Sequence, residues 1–239
     1  MKVIAHRGSN RKAPENSMKA FEIAIEEGAS RIELDLQLSS DHIIFINHDD
    51  SLSHTTESKG KISQMSASEL AKIRLKNLEA LPRLEQVLEL LPRVELNLEL
   101  KGKDTALVQT LVPMIADHPF RDKILVSAFE ENMMVTLKEV LPTVERAFLW
   151  ENSLPQVRQF DKIKRAMDRI ETKIFHPDGS LIDEKFMEFI SENGWTTYTW
   201  APLRADIPKE RWPILKNLGV DGHCTNFPLE FRLWIEESR

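Results

Sequence analysis

The sequence predicts an α/β protein folded as a (β/α)8 barrel (a TIM barrel), with a small insertion after the second barrel strand. Three observations predict this. First, eight short β-prone runs alternate with amphipathic helical patterns, and such alternation implies parallel βαβ units. Second, the chain has 239 residues, near the roughly 250 that such a barrel needs. Third, histidines and charged side chains gather where β-prone runs end, which is where a barrel carries its functional groups. The alternative is a doubly wound open sheet. No Gly-x-Gly-x-x-Gly follows any strand, which weakens the dinucleotide-binding version of that fold. The reading is of one domain over residues 1–239, with residues 51–80 as a small insertion near the pocket mouth.

The first β-prone run, residues 2–5, stops at His6-Arg7-Gly8. A polar loop leads past Pro14 to Asn16, whose side-chain oxygen is suited to cap a helix. Ala20, Phe21, Ala24 and Ile25 give that helix its apolar face, and Gly28 ends it. Residues 31–38 alternate strictly and read as the second strand, and Ile43 to Asn47 read as an extra strand that hairpins off it. Residues 51–80 are polar, with only a modest helical pattern around Ser68 to Ile73. Helical patterns then fall near 83–91, 106–118, 130–140, 157–168, 183–193, 209–218 and 229–237. Strand patterns fall near 94–100, 124–127, 145–149, 173–175, 195–200 and 222–225.

Composition excludes several classes. With 41% hydrophobic and 29% charged residues, the chain can bury a core and does not resemble a disordered one. Its formal charge of −6 argues against a general nucleic-acid binder, because phosphate backbones demand clustered cations. A single cysteine, Cys224, permits neither an internal disulfide nor a cysteine zinc site. No apolar run has the length of a signal peptide or a membrane span. The expectation is a cytoplasmic protein without stable membrane insertion or a nucleic-acid partner.

The chemistry concentrates at strand ends. His6 and Arg7 close the first strand; Glu33 and Asp35, two apart, share one face of the second; His48 follows the extra strand. In residues 94–101 the leucines face one way and Glu95, Asn97, Glu99 and Lys101 the other. A strand covered on both faces is ordinarily apolar, so buried charges there need partners. One solution is a structural ion-pair network in which Arg7 and Lys101 neutralise Glu33, Asp35 and Glu99. The other is a divalent cation held by the three carboxylates, since three anions against two cations leave excess negative charge. Mg²⁺ and Ca²⁺ both suit oxygen donors. Beside such a cation, Arg7 and Lys101 suggest a phosphate clamp, and two imidazoles supply an acid and a base near neutral pH. Together these groups describe phosphodiester cleavage.

Other residues read as structural. Asn16 reads as a helix cap, and Asp49 either orients His48 or caps a turn. Trp200 either walls the pocket or packs. His54, His118 and His176 read as surface-loop or helix-end residues. Met133 and Met134 fill the core, and Cys224 behaves as a small buried apolar residue.

These residues also carry a family resemblance. His6-Arg7-Gly8, Pro14-Glu15-Asn16-Ser17 and Ala20-Phe21 resemble the HRG and PENT…AF segments of the glycerophosphodiester phosphodiesterases, a group of phosphatidylinositol-phospholipase-C-like barrels. Gly28-Ala29 with Ile32-Glu33-Leu34-Asp35, then His48-Asp49 and Leu98-Glu99-Leu100-Lys101, resemble its G-A-x-x-I-E-x-D, H-D and E-I-K segments. Ser127 with Phe129 resembles its S-F strand end. Gly219-Val220-Asp221-Gly222 and Thr225-Asn226-Phe227-Pro228 resemble its closing G-V-D-G…T-D-x-P. The matches run from residue 5 to residue 228 in the family's order and spacing.

The resemblance implies that Glu33, Asp35 and Glu99 bind one divalent cation, Mg²⁺ or Ca²⁺, and that His6 and His48 are the acid/base pair. It further implies that Arg7 and Lys101 hold the phosphate and that Trp200 stands at the substrate end of the pocket. Residues 51–80 would be the family's insertion over the pocket mouth. The implied reaction hydrolyses a small-molecule glycerophosphodiester to glycerol phosphate and an alcohol, by attack of water or through a cyclic phosphate. Lysophospholipid cleavage is a second enzymatic reading; a non-catalytic barrel binding a phosphorylated ligand is the third. Departures cluster on the last two strands, where the leaving alcohol is expected. Trp200-Ala201-Pro202-Leu203 stands for W-T-V-N, His223-Cys224 for an apolar pair, and Asn226 for Asp.

Overall fold

The computed structural model describes residues 1–151, 159–201 and 209–238. Parallel strands β1 (Lys2–His6), β2 (Arg31–Leu38), β4 (Glu95–Leu100), β5 (Ile124–Ala128), β6 (Glu145–Trp150), β7 (Ile174–Pro177), β8 (Thr196–Thr199) and β9 (Gly222–Thr225) form the expected barrel. It closes where β1 pairs with both β2 and β9. The extra strand β3 (Ile44–Ile46) pairs antiparallel with β2 through Leu36–Ile46 and Leu38–Ile44, as the hairpin reading expects. Around the barrel lie α1 (Met18–Glu26), α3 (Leu84–Leu88), α4 (Ala106–Ile115), α5 (Glu131–Val140), α6 (Phe160–Ile170), α7 (Glu184–Glu192), α8 (Trp212–Asn217) and α9 (Pro228–Glu237). A short α2 (Ala67–Leu70) belongs to residues 51–80. Pro202 and Leu203, two of the sequence departures, lie outside the described residues.

Alternation along each strand separates two environments. Ile32, Leu34 and Leu36 of β2 join Leu96, Leu98 and Leu100 of β4 in the main core under the helices. The opposite faces turn into the barrel. Ile4, Leu125, Ala147, Tyr198 and Cys224 form an apolar cluster there, and the charged row of β4 lies among them. Those charges find partners, as burial demands. Glu95 takes Arg31 Nη2 at 2.7 Å and Lys2 Nζ at 2.8 Å, and Arg31 lies over the Tyr198 ring at 5.4 Å. Residues 51–80 are less uniformly polar in effect than their composition suggests. Leu52, Ile62, Ala67, Leu70 and Leu75 gather with Phe45 and Leu81 into a small core of their own.

One local expectation is corrected. Ser17, not Asn16, caps α1: its hydroxyl accepts from Ala20 N–H at 3.0 Å. Asn16 instead adopts a left-handed conformation with φ 57°, which places its amide inside the barrel mouth.

Candidate active site

The C-terminal strand ends surround a cavity of about 280 Å³ lined by His6, Arg7, Glu33, His48, Glu99, Lys101 and Trp200, with Phe129, Leu149 and His176 on the far wall. Asp35 lies fully buried directly behind the lining. The structure therefore brings all eight sequence-chosen residues to one place. The register explains it: Glu33 and Asp35 of β2 lie beside Asn97 and Glu99 of β4, and His6 of β1 lies beside Glu33.

Glu33, Asp35 and Glu99 each offer a carboxylate oxygen, and these three atoms lie within 4.8 Å of one another. The cations serve them unequally. Asp35 receives Lys101 Nζ at 2.9 Å, Arg7 Nε at 3.2 Å and Asn16 Nδ2 at 2.7 Å. Glu99 also pairs with Lys101. These contacts hold the Asp35 carboxyl below its ordinary range despite burial. Glu33 accepts Arg7 N–H at 3.0 Å through Oε2, while its Oε1 is buried without a hydrogen-bond partner. Burial and the neighbouring Asp35 and Glu99 push the Glu33 carboxyl well up. Ion pairs thus neutralise Asp35, while among the described residues no lysine or arginine side chain pairs with Glu33. A cation among the three carboxylates would supply what is missing, and an all-oxygen donor set suits a hard divalent ion.

The remaining groups are held in place. Arg7, with φ 55°, is braced by Glu15 at 3.0 Å. His6 places Nδ1 at 2.8 Å from Asn226 Oδ1 and Nε2 at 3.9 Å from Glu33. Burial, reinforced by Arg7, lowers its pKa to about 3, so the ring is neutral. His48 is carried past β3 by a hydrogen bond from Gln37 Nε2 to its carbonyl, 2.8 Å. Asp49 accepts from its Nδ1 side at 2.8 Å, which decides for orientation over turn capping.

A chain in which imidazoles, carboxylates and two cations meet in this order can be compared with known proteins. The model of the glycerophosphoryl diester phosphodiesterase family matches residues 6–230. The chain belongs to that family. Among relatives of the family, a glycerophosphodiester phosphodiesterase of Bacillus altitudinis is 30% identical, over 95% of both chains. One from Caldanaerobacter subterraneus subsp. tengcongensis is 27% identical, over 95% of this chain and 94% of its own. Among solved structures, an Oleispira antarctica phosphodiesterase in complex with the product sn-glycerol-3-phosphate is 25% identical. It superposes with a TM-score of 0.87 over 99% of this chain and 97% of its own. The Thermotoga maritima glycerophosphodiester phosphodiesterase shares the fold at 20% identity, TM-score 0.78, over 99% and 98% of the two chains.

The structure adds residues that sequence reasoning passed over. Asn16 and Glu15 support Asp35 and Arg7, and Asn226 supports His6. His176 is not a surface residue. It is buried inside β7 and lines the cavity. The β-prone pattern ends at Phe175, but β7 continues to Pro177, and one more residue of alternation puts His176 on the inward face with Ile174. His54 and His118 keep their places outside the pocket, with His54 3.8 Å from Glu15. Among the described residues no helix is long and apolar enough to cross a membrane.

Proposed function

We propose that this family member is a metal-dependent phosphodiesterase that hydrolyses glycerophosphodiesters to glycerol phosphate and an alcohol. One observation carries the reading: Glu33, Asp35 and Glu99 converge beside two cations and two imidazoles on a single cavity. The product named for the Oleispira relative supports the substrate class. Glu33, Asp35 and Glu99 would hold Mg²⁺ or Ca²⁺. Bound there, the ion would withdraw charge from a phosphoryl oxygen.

The protein groups do the rest. Arg7 and Lys101 hold the phosphate and oppose the negative charge that grows on it in the transition state. His6, neutral with its Nδ1 turned to Asn226, uses Nε2 to take the proton of the nucleophile. His48, oriented by Asp49, gives a proton to the leaving alcohol oxygen. Trp200 packs edge-on against Phe129 at 5.4 Å and walls the substrate end. The test is hydrolysis of several glycerophosphodiesters with different divalent ions, before and after chelation. Turnover must vanish on chelation and return with metal. Full activity in protein shown metal-free by elemental analysis overturns the reading.

A further inference from the structure

The cavity has two unlike walls. Around the closed barrel, β7 lies four strands from β2 in either direction, so His176 faces the carboxylate side. The wall about it is mostly apolar: Leu149 is its register partner on β6, Phe129, Trp200, Ile4 and Cys224 also line the cavity, and Glu151 just past β6 is the charged residue on that side. His176 brings a polar ring into this wall. Its Nε2 is buried without a hydrogen-bond partner, and no hydrogen bond to either ring nitrogen is present among the described residues. Tyr198 meets the ring edge-on at 5.4 Å, and Trp200 Nε1 donates only to the His176 carbonyl, 3.1 Å.

An unsatisfied buried polar group costs roughly 1–3 kcal/mol. Leu149 and Ile174, on the same inward face, show that an apolar side chain suits the position. Burial and the positive charge of Arg31 keep the imidazole neutral, with a pKa of about 3. The ring is then one N–H donor and one lone pair rather than a cation. It brings no charge to attract phosphate, and its donor and lone pair together match an alcohol hydroxyl. Arg7, Lys101 and His176 line the same cavity, so an ester arm leaving a phosphate held by the two cations would share the cavity with this ring.

We propose that His176 is a specificity-determining residue that hydrogen-bonds a hydroxyl of the glycerol half of the substrate. This rests on the phosphodiesterase reading and names the contact by which the enzyme selects glycerol phosphate over a plain alkyl phosphate. The test is calorimetric binding of sn-glycerol 3-phosphate and of propyl phosphate, which has the same charge and no free hydroxyl. Wild type binds the glycerol compound about tenfold more tightly, the value of one net hydrogen bond. His176→Phe and His176→Leu reduce that preference below threefold, and His176→Asn, which keeps an N–H donor, restores part of it. Two apolar replacements are used so that a folding failure in one leaves the other to decide. No preference in wild type, or a preference unchanged in either folded apolar variant, overturns the assignment and makes the ring structural. Failure of wild type to hydrolyse any glycerophosphodiester is a separate result and refutes the parent reading.

Discussion

His6 Nδ1 lies 2.8 Å from Asn226 Oδ1, across the seam where β1 pairs with β9. A third residue fixes which atom carries the proton. Asn10 Nδ2 donates to the His6 carbonyl at 2.9 Å and also to the same Asn226 oxygen. That oxygen must therefore be an acceptor, so His6 Nδ1 must be the donor. The lone pair is left on Nε2, facing the carboxylates. Asn226→Leu removes the acceptor and frees the ring to rotate and change tautomer. The expected result is a fall in kcat of about tenfold to a hundredfold, the range of a positioned acid/base group, with KM for a glycerophosphodiester changed less than threefold. Asn226→Asp keeps the acceptor and should retain more activity than Asn226→Leu. Equal activity in the two variants would remove Asn226 from the catalytic apparatus.

On the proposed reading, Glu33 ties metal binding to stability. Its buried Oε1 has no hydrogen-bond partner among the described residues, and burial beside Asp35 and Glu99 pushes its carboxyl well up, so ionising it without a cation is costly and a bound cation would offset that cost. A divalent ion that binds only the folded state stabilises it by about 2.7 kcal/mol at a hundredfold excess over Kd. Glu33→Gln removes the ionisable carboxyl and with it the anionic ligand. Metal-free Glu33→Gln should melt at or above the temperature of metal-free wild type, and added Mg²⁺ or Ca²⁺ should no longer raise it. Differential scanning calorimetry with and without metal gives both answers. An undiminished metal-induced rise in the variant would place the cation elsewhere.

How much of this was legible depended on whether the governing signal is local. Glu33 and Asp35 announce themselves because alternation places both on one strand face, and the same rule aligns Glu99 with Asn97. The barrel follows from the repeated strand and helix periods. Long-range pairing is different. Asn226 was visible only as a departure from a family pattern, since its partner His6 is 220 residues away. Asn16 and Ser17 are both good caps by type, and nothing local reveals that a left-handed turn at Asn16 sends its amide to Asp35. His176 lies beyond the strand pattern of 173–175, which stops two residues before β7 does at Pro177. The core of residues 51–80 was hidden because, outside the short helical pattern around Ser68 to Ile73, its apolar residues are spread singly through polar sequence.

Gly8 sets the turn that delivers Arg7. Its φ is +79°, and an added Cβ would lie 2.7 Å from the carbonyl carbon of Ala20. Ser9 N–H donates to that same Ala20 carbonyl at 2.9 Å, so α1 cannot retreat without losing the contact. Gly8→Ala combines left-handed strain of roughly 1–2 kcal/mol with a backbone clash. Urea denaturation should show a loss of at least about 2 kcal/mol, and activity should fall with it because Arg7 shifts. A change within about 0.5 kcal/mol, the usual range for an innocuous substitution, would show that the loop relaxes freely.

His223 makes the fold sensitive to mild acid. The ring is buried between β9 and α9, with Nδ1 2.9 Å from Thr199 Oγ1 and an edge-on contact to the Phe231 ring at 5.4 Å. Burial lowers its pKa from 6.5 to about 4. Between those values the unfolded chain binds a proton that the folded chain refuses, so stability falls as pH drops through that window. The folded form is fully favoured above about pH 6.5, and the loss is complete only near pH 4. One such group accounts for about 2 kcal/mol between pH 7 and pH 5. His223→Asn removes the titration while sparing space. Its absolute stability falls through lost packing on Phe231, so the informative quantity is the change in unfolding free energy from pH 7 to pH 5. That change should be about 2 kcal/mol smaller in the variant, and an identical pH dependence in both proteins would assign the acid sensitivity to other groups.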